Sequence, residues 1–175
     1  RVGPERAQAL DRRSDILANH GVHIAGTDFD RRVSLASVMP PLGYGGFGPS
    51  LKGQAPRPVP SRVYFDLTTW HLINTVYQPQ RVAELRSMAD FYGDPVQHQR
   101  LMKVVNQRLG HALVGRAEAA KIAVAEGGST DIDLSLVEAG LHSPLTGAQA
   151  EQALRDDLAR IVACARETVT LAGVP

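Results

Sequence analysis

The stretch RAEAAKIAVAE, residues 116–126, has the residue types and spacing that best suit binding chemistry in this 175-residue chain. Glu118, Lys121 and Ala125 follow one another there at intervals of three and four, so they share one face if the stretch is helical. A carboxylate accepts hydrogen bonds and an ammonium group donates them. By spacing alone, however, the pair is typical of a helix-stabilising contact worth about 0.2–0.5 kcal/mol.

No other residues form a recognisable catalytic or metal-binding pattern. His20 and His23 have no cysteine partner and no carboxylate at metal-ligand spacing. No serine lies in a GxSxG motif, and the single cysteine, Cys164, belongs to no Cys–His signature. The glycines between 43 and 48 indicate a flexible loop, because the phosphate-binding pattern GxxxxGK[ST] is absent. The motifs therefore argue against self-contained catalysis and against a metal site.

Composition indicates a globular protein with a buried core, since 43% of the residues are hydrophobic and 21% are charged. A formal net charge of +1 provides no strong field, so we expect neither nucleic acid nor a membrane surface as a partner. The sequence has no apolar run of membrane-spanning length and no signal-peptide pattern. With one cysteine, at a position expected to be buried in a helix, these features favour a cytoplasmic location.

In the first third of the chain, the pattern predicts a strand over 14–18 and then a helix with Thr27 as its N-cap. This helix is expected to run to Met39 and to end at Pro40–Pro41. Residues 40–60 are rich in glycine and proline, which predicts a long irregular loop.

Residues 62–77, in the middle of the chain, carry four of its nine aromatic residues. We predict that Trp70 belongs there to a packing face rather than to a base-stacking platform, together with Leu67, Ile73, Asn74 and Tyr77. A second helix is predicted over 80–92, and Asp94–Pro95 then opens a long helix that reaches about Ala125.

The last third predicts a small hairpin and one more helix. Gly127–Gly128 ends the preceding helix, and apolar residues alternate with polar ones from Asp131 to Leu136 as in a strand. Pro144 requires an edge or terminal position in its strand. Thr146 and Gln149 form a capping box for a helix over 147–171. The predicted fold class is therefore α+β, with several helices packed on a small antiparallel hairpin.

Two separated stretches resemble a known family in their ordered combination. GVHIAGTDFDRR is similar to the GG-x-D-F/L-D segment of the DnaK-type, seventy-kilodalton heat-shock chaperone ATPases. RAEAAKIAV, with a hairpin and a long helix after it, is similar to the ERAKxxLS helix, hairpin and next helix of that family. The segments MPPLGYGG and DLTTWHLIN look more like the YegD-type branch. The resemblance covers most of residues 10–175 and is weakest over 45–95.

The resemblance implies a nucleotide-binding site. Gly26 would lie where the backbone approaches the nucleotide, and Glu118 and Lys121 would reach the ribose and adenine side of ATP or ADP. Three positions depart from the family pattern: Ala25 replaces the first glycine, Ile122 replaces a basic residue against the adenine, and Ala125 replaces a serine. A more apolar adenine pocket, still formed in part by Ile122 and Ala125, is therefore expected.

The resemblance also implies an organisation and a function. Residues 1–26 would flank the core of the second lobe of an actin-like ATPase, 27–145 would form an outer lid subdomain, and 146–175 would return to the core. The family's DxGGGT loop before this region and its GGS loop after it are not found at those places. A fragment that is inactive alone is therefore expected, from a parent that binds ATP or ADP with magnesium, unfolded clients and a nucleotide-exchange factor or co-chaperone.

Two other functions remain open. The chain could be a protein-interaction module that binds an exchange factor or another partner without any nucleotide role, and exposure of Trp70 together with Tyr77 would favour this. An actin-like cytoskeletal protein or a sugar kinase shares the same architecture, but no sugar-binding acid motif supports that alternative.

Overall fold

A computed structural model describes residues 3–4, 7–8, 10–50 and 55–174. Within these ranges the fold is α+β, as predicted, with α-helices and one antiparallel hairpin. The helices and strands, in chain order, are α1 (Gly26–Val33), α2 (Arg62–Leu67), α3 (Pro79–Ser87), α4 (Pro95–Asn106), α5 (Gly110–Ala125), β1 (Ser129–Asp133), β2 (His142–Thr146) and α6 (Gly147–Ala172).

The chain divides into two compact units: Ala25–Leu154, and Arg1–Ile24 with Arg155–Pro175. The larger unit contains the hairpin, α1 to α5 and the beginning of α6. The subdomain boundaries expected at 26 and 145 stay a prediction. No helix in the described part of the chain is both long enough and apolar enough to cross a membrane.

In the smaller unit, the strand predicted over 14–18 is wrong. Arg13–Asp15 form a single 3-10 turn, whose start is fixed by the Asp11 carboxylate accepting from the Arg13 backbone N–H at 3.0 Å. The buried Asp15 carboxylate accepts from Arg12 Nε at 2.7 Å. Short polar side chains that bind the local backbone favour turns over strands, which is why this apolar run does not extend. Cys164, expected to be buried, is half-exposed.

Helix α1 begins earlier than its predicted cap. Its N-cap is Ala25 rather than Thr27, because the Asp28 carboxylate accepts from the Ala25 backbone N–H at 2.9 Å. After Val33 the chain continues as a wider π-helical turn, Ser34–Val38, and a 3-10 turn at Pro40–Leu42 ends it. The predicted stop at the two prolines is therefore confirmed.

The two arms of the predicted loop over 40–60 are hydrogen-bonded to each other. Gly48 N–H donates to Arg57 C=O at 2.7 Å, and Val59 N–H donates to Gly46 C=O at 2.9 Å. Near the start of the loop, the Tyr64 hydroxyl donates to Leu42 C=O and forms a hydrogen bond with the Tyr92 hydroxyl, each at 2.8 Å. Burial, followed by the neighbouring Tyr92, raises the pKa of Tyr64 far above its usual value.

The packing face predicted for 62–77 is only partly correct. Leu67 and Ile73 are fully buried and Tyr77 is half-buried, but Trp70 is 61% exposed and Asn74 is exposed as well. Helix α2 ends at Leu67, so the helical spacing that would turn Trp70 inward no longer applies after that residue.

The long helix predicted from Asp94 to Ala125 is wrong, although its start is confirmed. The Asp94 carboxylate accepts from the Val96 backbone N–H at 2.9 Å. The helix breaks between Asn106 and Gly110, where Arg108 adopts a left-handed backbone with φ of 55°. At the start of α5, Gly110 is packed closely: a Cβ atom there would lie 2.5 Å from the Tyr77 hydroxyl oxygen, and Gly110 N–H donates to that oxygen at 2.9 Å. A tertiary contact thus accompanies the break between α4 and α5.

The hairpin and the helix after it are confirmed, with a shorter first strand. β1 pairs antiparallel with β2 from Ser129↔Thr146 to Asp133↔His142, with Pro144 opposite Asp131. β1 ends at Asp133, whose carboxylate accepts from the Ser135 backbone N–H at 2.8 Å and begins a turn. At the start of α6, Gln149 N–H donates to Thr146 Oγ1 at 3.2 Å, and Thr146 N–H donates to Gln149 Oε1 at 2.8 Å.

Candidate functional site

Helix α5 places four of the five residues expected at the nucleotide on one stripe of its surface: Glu118, Lys121, Ile122 and Ala125. Its buried side packs into the core through Leu113, Val114, Ala117, Ala120 and Val124. Glu118 and Ala125 are exposed, Ile122 is 51% exposed and Lys121 is half-buried. The sequence spacing of three and four therefore does produce a common surface.

Lys121 is held by an acid from another helix. Its ammonium nitrogen lies 2.6 Å from Asp30 Oδ1, and Asp30 belongs to α1, which packs against α5. Asp30 is only 8% exposed, so its charge would be costly without the lysine. The Oδ1 atom makes no well-aligned hydrogen bond within the described residues, and the contact is an ion pair governed by charge.

Sequence reasoning did not identify Asp30 as part of this site. One feature of the sequence could have pointed to Asp30: it lies four residues after Gly26, and therefore on the same face of α1. The pairing itself depends on how α1 packs on α5, and no local pattern encodes that.

Gly26 is the first residue of α1, one turn from Asp30. A Cβ atom added at Gly26 would meet no other group within 4 Å, and Gly26 does not have a positive φ. The packing of the described residues therefore does not require glycine there. Ala25, directly before it, is exposed.

A cavity of about 170 Å³ lies next to the stripe. Lys121 and Ala125 line it from α5, and Glu151 reaches it from α6; the other lining residues are Val124, Gly147, Ala150 and Leu154. Most of its wall is apolar, with one ammonium and one carboxylate group among the lining residues. An engineered cavity of about 150 Å³ accommodates benzene, so this volume suits one flat ring system.

The structure thus brings together two of the five expected residues, Lys121 and Ala125, at one cavity. Glu118 and Ile122 lie on the same helix outside its lining, and Gly26 lies on α1 one turn from the partner of Lys121. Chemically, the arrangement can bind a ring and a polar substituent. Over the described ranges, no group of three His, Cys, Asp or Glu residues is placed to hold a metal ion.

Comparison with known proteins adds no further assignment. Neither a protein-family model nor a solved structure matches this chain.

Proposed function

We propose that this chain is the lid part of a DnaK-type chaperone ATPase, closing over the adenosine side of ATP or ADP. The observation that carries this proposal is the ion pair between Asp30 and Lys121, at 2.6 Å. Asp30 lies in GTDFDRR and Lys121 in RAEAAKIAV, the two stretches on which the resemblance rests. Segments separated by about ninety residues are therefore in direct contact, as one shared site requires.

The cavity beside Lys121 supports the adenosine side rather than the phosphate side. Its lining is mostly apolar, which suits a purine ring, and its single ammonium group is already partly neutralised by Asp30. An anionic triphosphate would need several unpaired donors, because phosphoryl groups are bound by clusters of backbone N–H groups and cations.

As a lid, the unit would control how fast the nucleotide leaves. Opening and closing of such elements sets the rate of product release in many enzymes. The magnesium ion, the exchange factor and the unfolded client would be bound by the parent protein rather than by this chain alone. The proposed location is the cytoplasm.

Nucleotide titration of the isotope-labelled chain, followed by NMR, tests this proposal. Adenosine and ADP at millimolar concentration should shift the backbone amides of Glu118, Lys121, Ile122, Ala125 and Gly26. Tripolyphosphate alone should leave them in place, because the proposed contacts are to the nucleoside. Lys103, a lysine on α4, provides the control. If Lys121→Met loses the adenosine response and Lys103→Met keeps it, adenosine binds at Lys121.

Two results would contradict the proposal. One is the absence of any shift with adenosine, and the other is an equal response to tripolyphosphate. The chain should also fail to hydrolyse ATP; measurable turnover that Lys121→Ala abolishes would show a self-contained ATPase instead.

A further inference from the structure

Two stretches of the chain contain no acidic residue, and they lie against each other. Residues 67–83 and 95–117 have no Asp or Glu but carry five Arg or Lys residues and three histidines. They meet where Gly110 N–H donates to the Tyr77 hydroxyl at 2.9 Å. Close by, the Trp70 and His111 rings pack edge to face with their centroids 4.6 Å apart. This part of the larger unit therefore combines aromatic rings with positive charge.

We call Trp70, Tyr77, Arg108 and His111 the helix-break cluster. Trp70, the only tryptophan in the chain, is 61% exposed. The Arg108 guanidinium lies over the Tyr77 ring, 5.9 Å from its centroid, and Arg108 is itself exposed. Tryptophan, tyrosine and arginine are the residue types that dominate binding energy at protein interfaces. Trp70 and Arg108 are exposed and Tyr77 is half-buried, a combination that is unusual for a surface that only faces water.

The backbone beneath the cluster is closely packed and includes one left-handed residue. Arg108 has a left-handed φ of 55°, a conformation that asparagine and glycine adopt far more readily than arginine. Gly110 is packed so closely that an added Cβ would lie 2.5 Å from Tyr77 Oη and 2.7 Å from Ile73 Cγ2. The conformation closes the C-terminus of α4, where Leu109 N–H donates to Val104 C=O at 2.9 Å and Arg108 N–H donates to Val105 C=O at 3.3 Å. The backbone of Arg108 is thereby held in place beside Tyr77.

Arg108 is the one arginine or lysine of the helix-break cluster, and it is exposed, whereas Lys103 on α4 is half-buried and acts on Glu138. Arg81 pairs with Glu84 at 2.7 Å, Arg100 with Glu138 at 2.6 Å and Arg116 with Asp133 at 3.6 Å. Those three charges are already compensated by acids of the chain. The guanidinium of Arg108 instead packs on a ring, which leaves its charge open to an incoming carboxylate.

We propose that the helix-break cluster docks an acidic protein segment. An apolar side chain of that segment packs on the exposed face of Trp70, and a carboxylate next to it pairs with Arg108. The partner must supply negative charge, because Arg108 presents a cation that no acid among the described residues pairs with. This interaction needs no nucleotide, so its test is independent of the proposed lid function.

Trp70 provides the measurement, because its fluorescence is the only tryptophan signal of the chain. The probe is a short synthetic peptide with glutamates on both sides of a Leu-Phe pair. Adding it should shift the Trp70 emission in a saturable way. Arg108→Asn should weaken binding roughly tenfold, while thermal unfolding shows that the fold is kept, since asparagine accepts the left-handed backbone. Arg86→Asn, the same charge change at an exposed position of α3, should leave binding unchanged.

Four outcomes would overturn the proposal. The first two are no saturable shift with the peptide, and an equal shift with a peptide in which glutamine replaces each glutamate. The third is an equal loss of binding in Arg86→Asn. The fourth is tighter binding of a single-stranded oligonucleotide, which would make the cluster a nucleic-acid surface. A shift that depends on protein concentration without any peptide would also count against it, because the occupant would then be a second copy of the chain.

Discussion

The two ends of α5 carry surfaces that are built in different ways. At the C-terminal end, Lys121 depends on a long, flexible side chain and one ion pair to Asp30. At the N-terminal end, Tyr77, Arg108 and Gly110 are fixed by close packing and a strained backbone. One helix thus supports both an adjustable surface and a closely packed one. An adjustable surface suits a ligand that comes and goes, and a closely packed one suits a preformed contact.

The largest effect is expected at the closely packed end. Gly110→Ala should lower the free energy of unfolding by about 1–3 kcal/mol, because the new methyl group must displace Tyr77 and Ile73. Gly115→Ala is the matched control, since a Cβ atom there would meet nothing within 4 Å and alanine is the better helix former. That variant should gain up to about 1 kcal/mol. Urea unfolding of both variants measures the difference, and similar losses in the two would contradict the packing argument.

A smaller loss is expected at the flexible end. Lys121→Met leaves the Asp30 carboxylate nearly buried without its cation, which should cost about 1–2 kcal/mol. Pairing this change with Asp30→Asn should restore part of that loss, because the uncompensated charge is then removed. Denaturant unfolding of the single and double variants gives the coupling energy. A double variant whose loss equals the sum of the two single losses would show that the ion pair contributes nothing.

The independence of the two ends can be measured by combining their variants. Gly110 and Lys121 lie about 16 Å apart along the axis of α5. Changes that far apart usually add to within about 0.5 kcal/mol. The Gly110→Ala, Lys121→Met double variant should therefore lose the sum of the two single losses, and a clear departure would mean that the helix transmits strain between its ends.

The smallest effect is expected from removing the strain at Arg108. Arg108→Gly fits the positive φ without cost, but glycine also loses more chain entropy on folding. The net change in Tm should therefore be close to zero or a small increase, as measured by calorimetry. A marked decrease would show that the guanidinium over Tyr77 stabilises the fold, in which case the arginine has a structural purpose.

Features of the fold that depend on neighbouring residues in sequence could be predicted. The Asp94 cap, the Thr146–Gln149 capping box and the glycines after α5 each follow from local hydrogen bonding and backbone preference. The break before Gly110 could not, because residues 107–109 contain neither glycine nor proline, and the contact of Gly110 with Tyr77 joins residues distant in sequence. For the same reason the pairing of Asp30 with Lys121 and the exposure of Trp70 became visible only with the tertiary structure.

The hairpin has a consequence for how the chain behaves at high concentration. In the described ranges its sheet has only two strands, so each strand has an outer edge that could recruit a strand from another molecule. Pro144 removes a backbone N–H from β2, and Asp131 and Asp133 place negative charge along β1. Prolines and charges at strand edges oppose edge-to-edge aggregation. The proline that restricts β2 to an edge position also helps to keep neighbouring molecules apart.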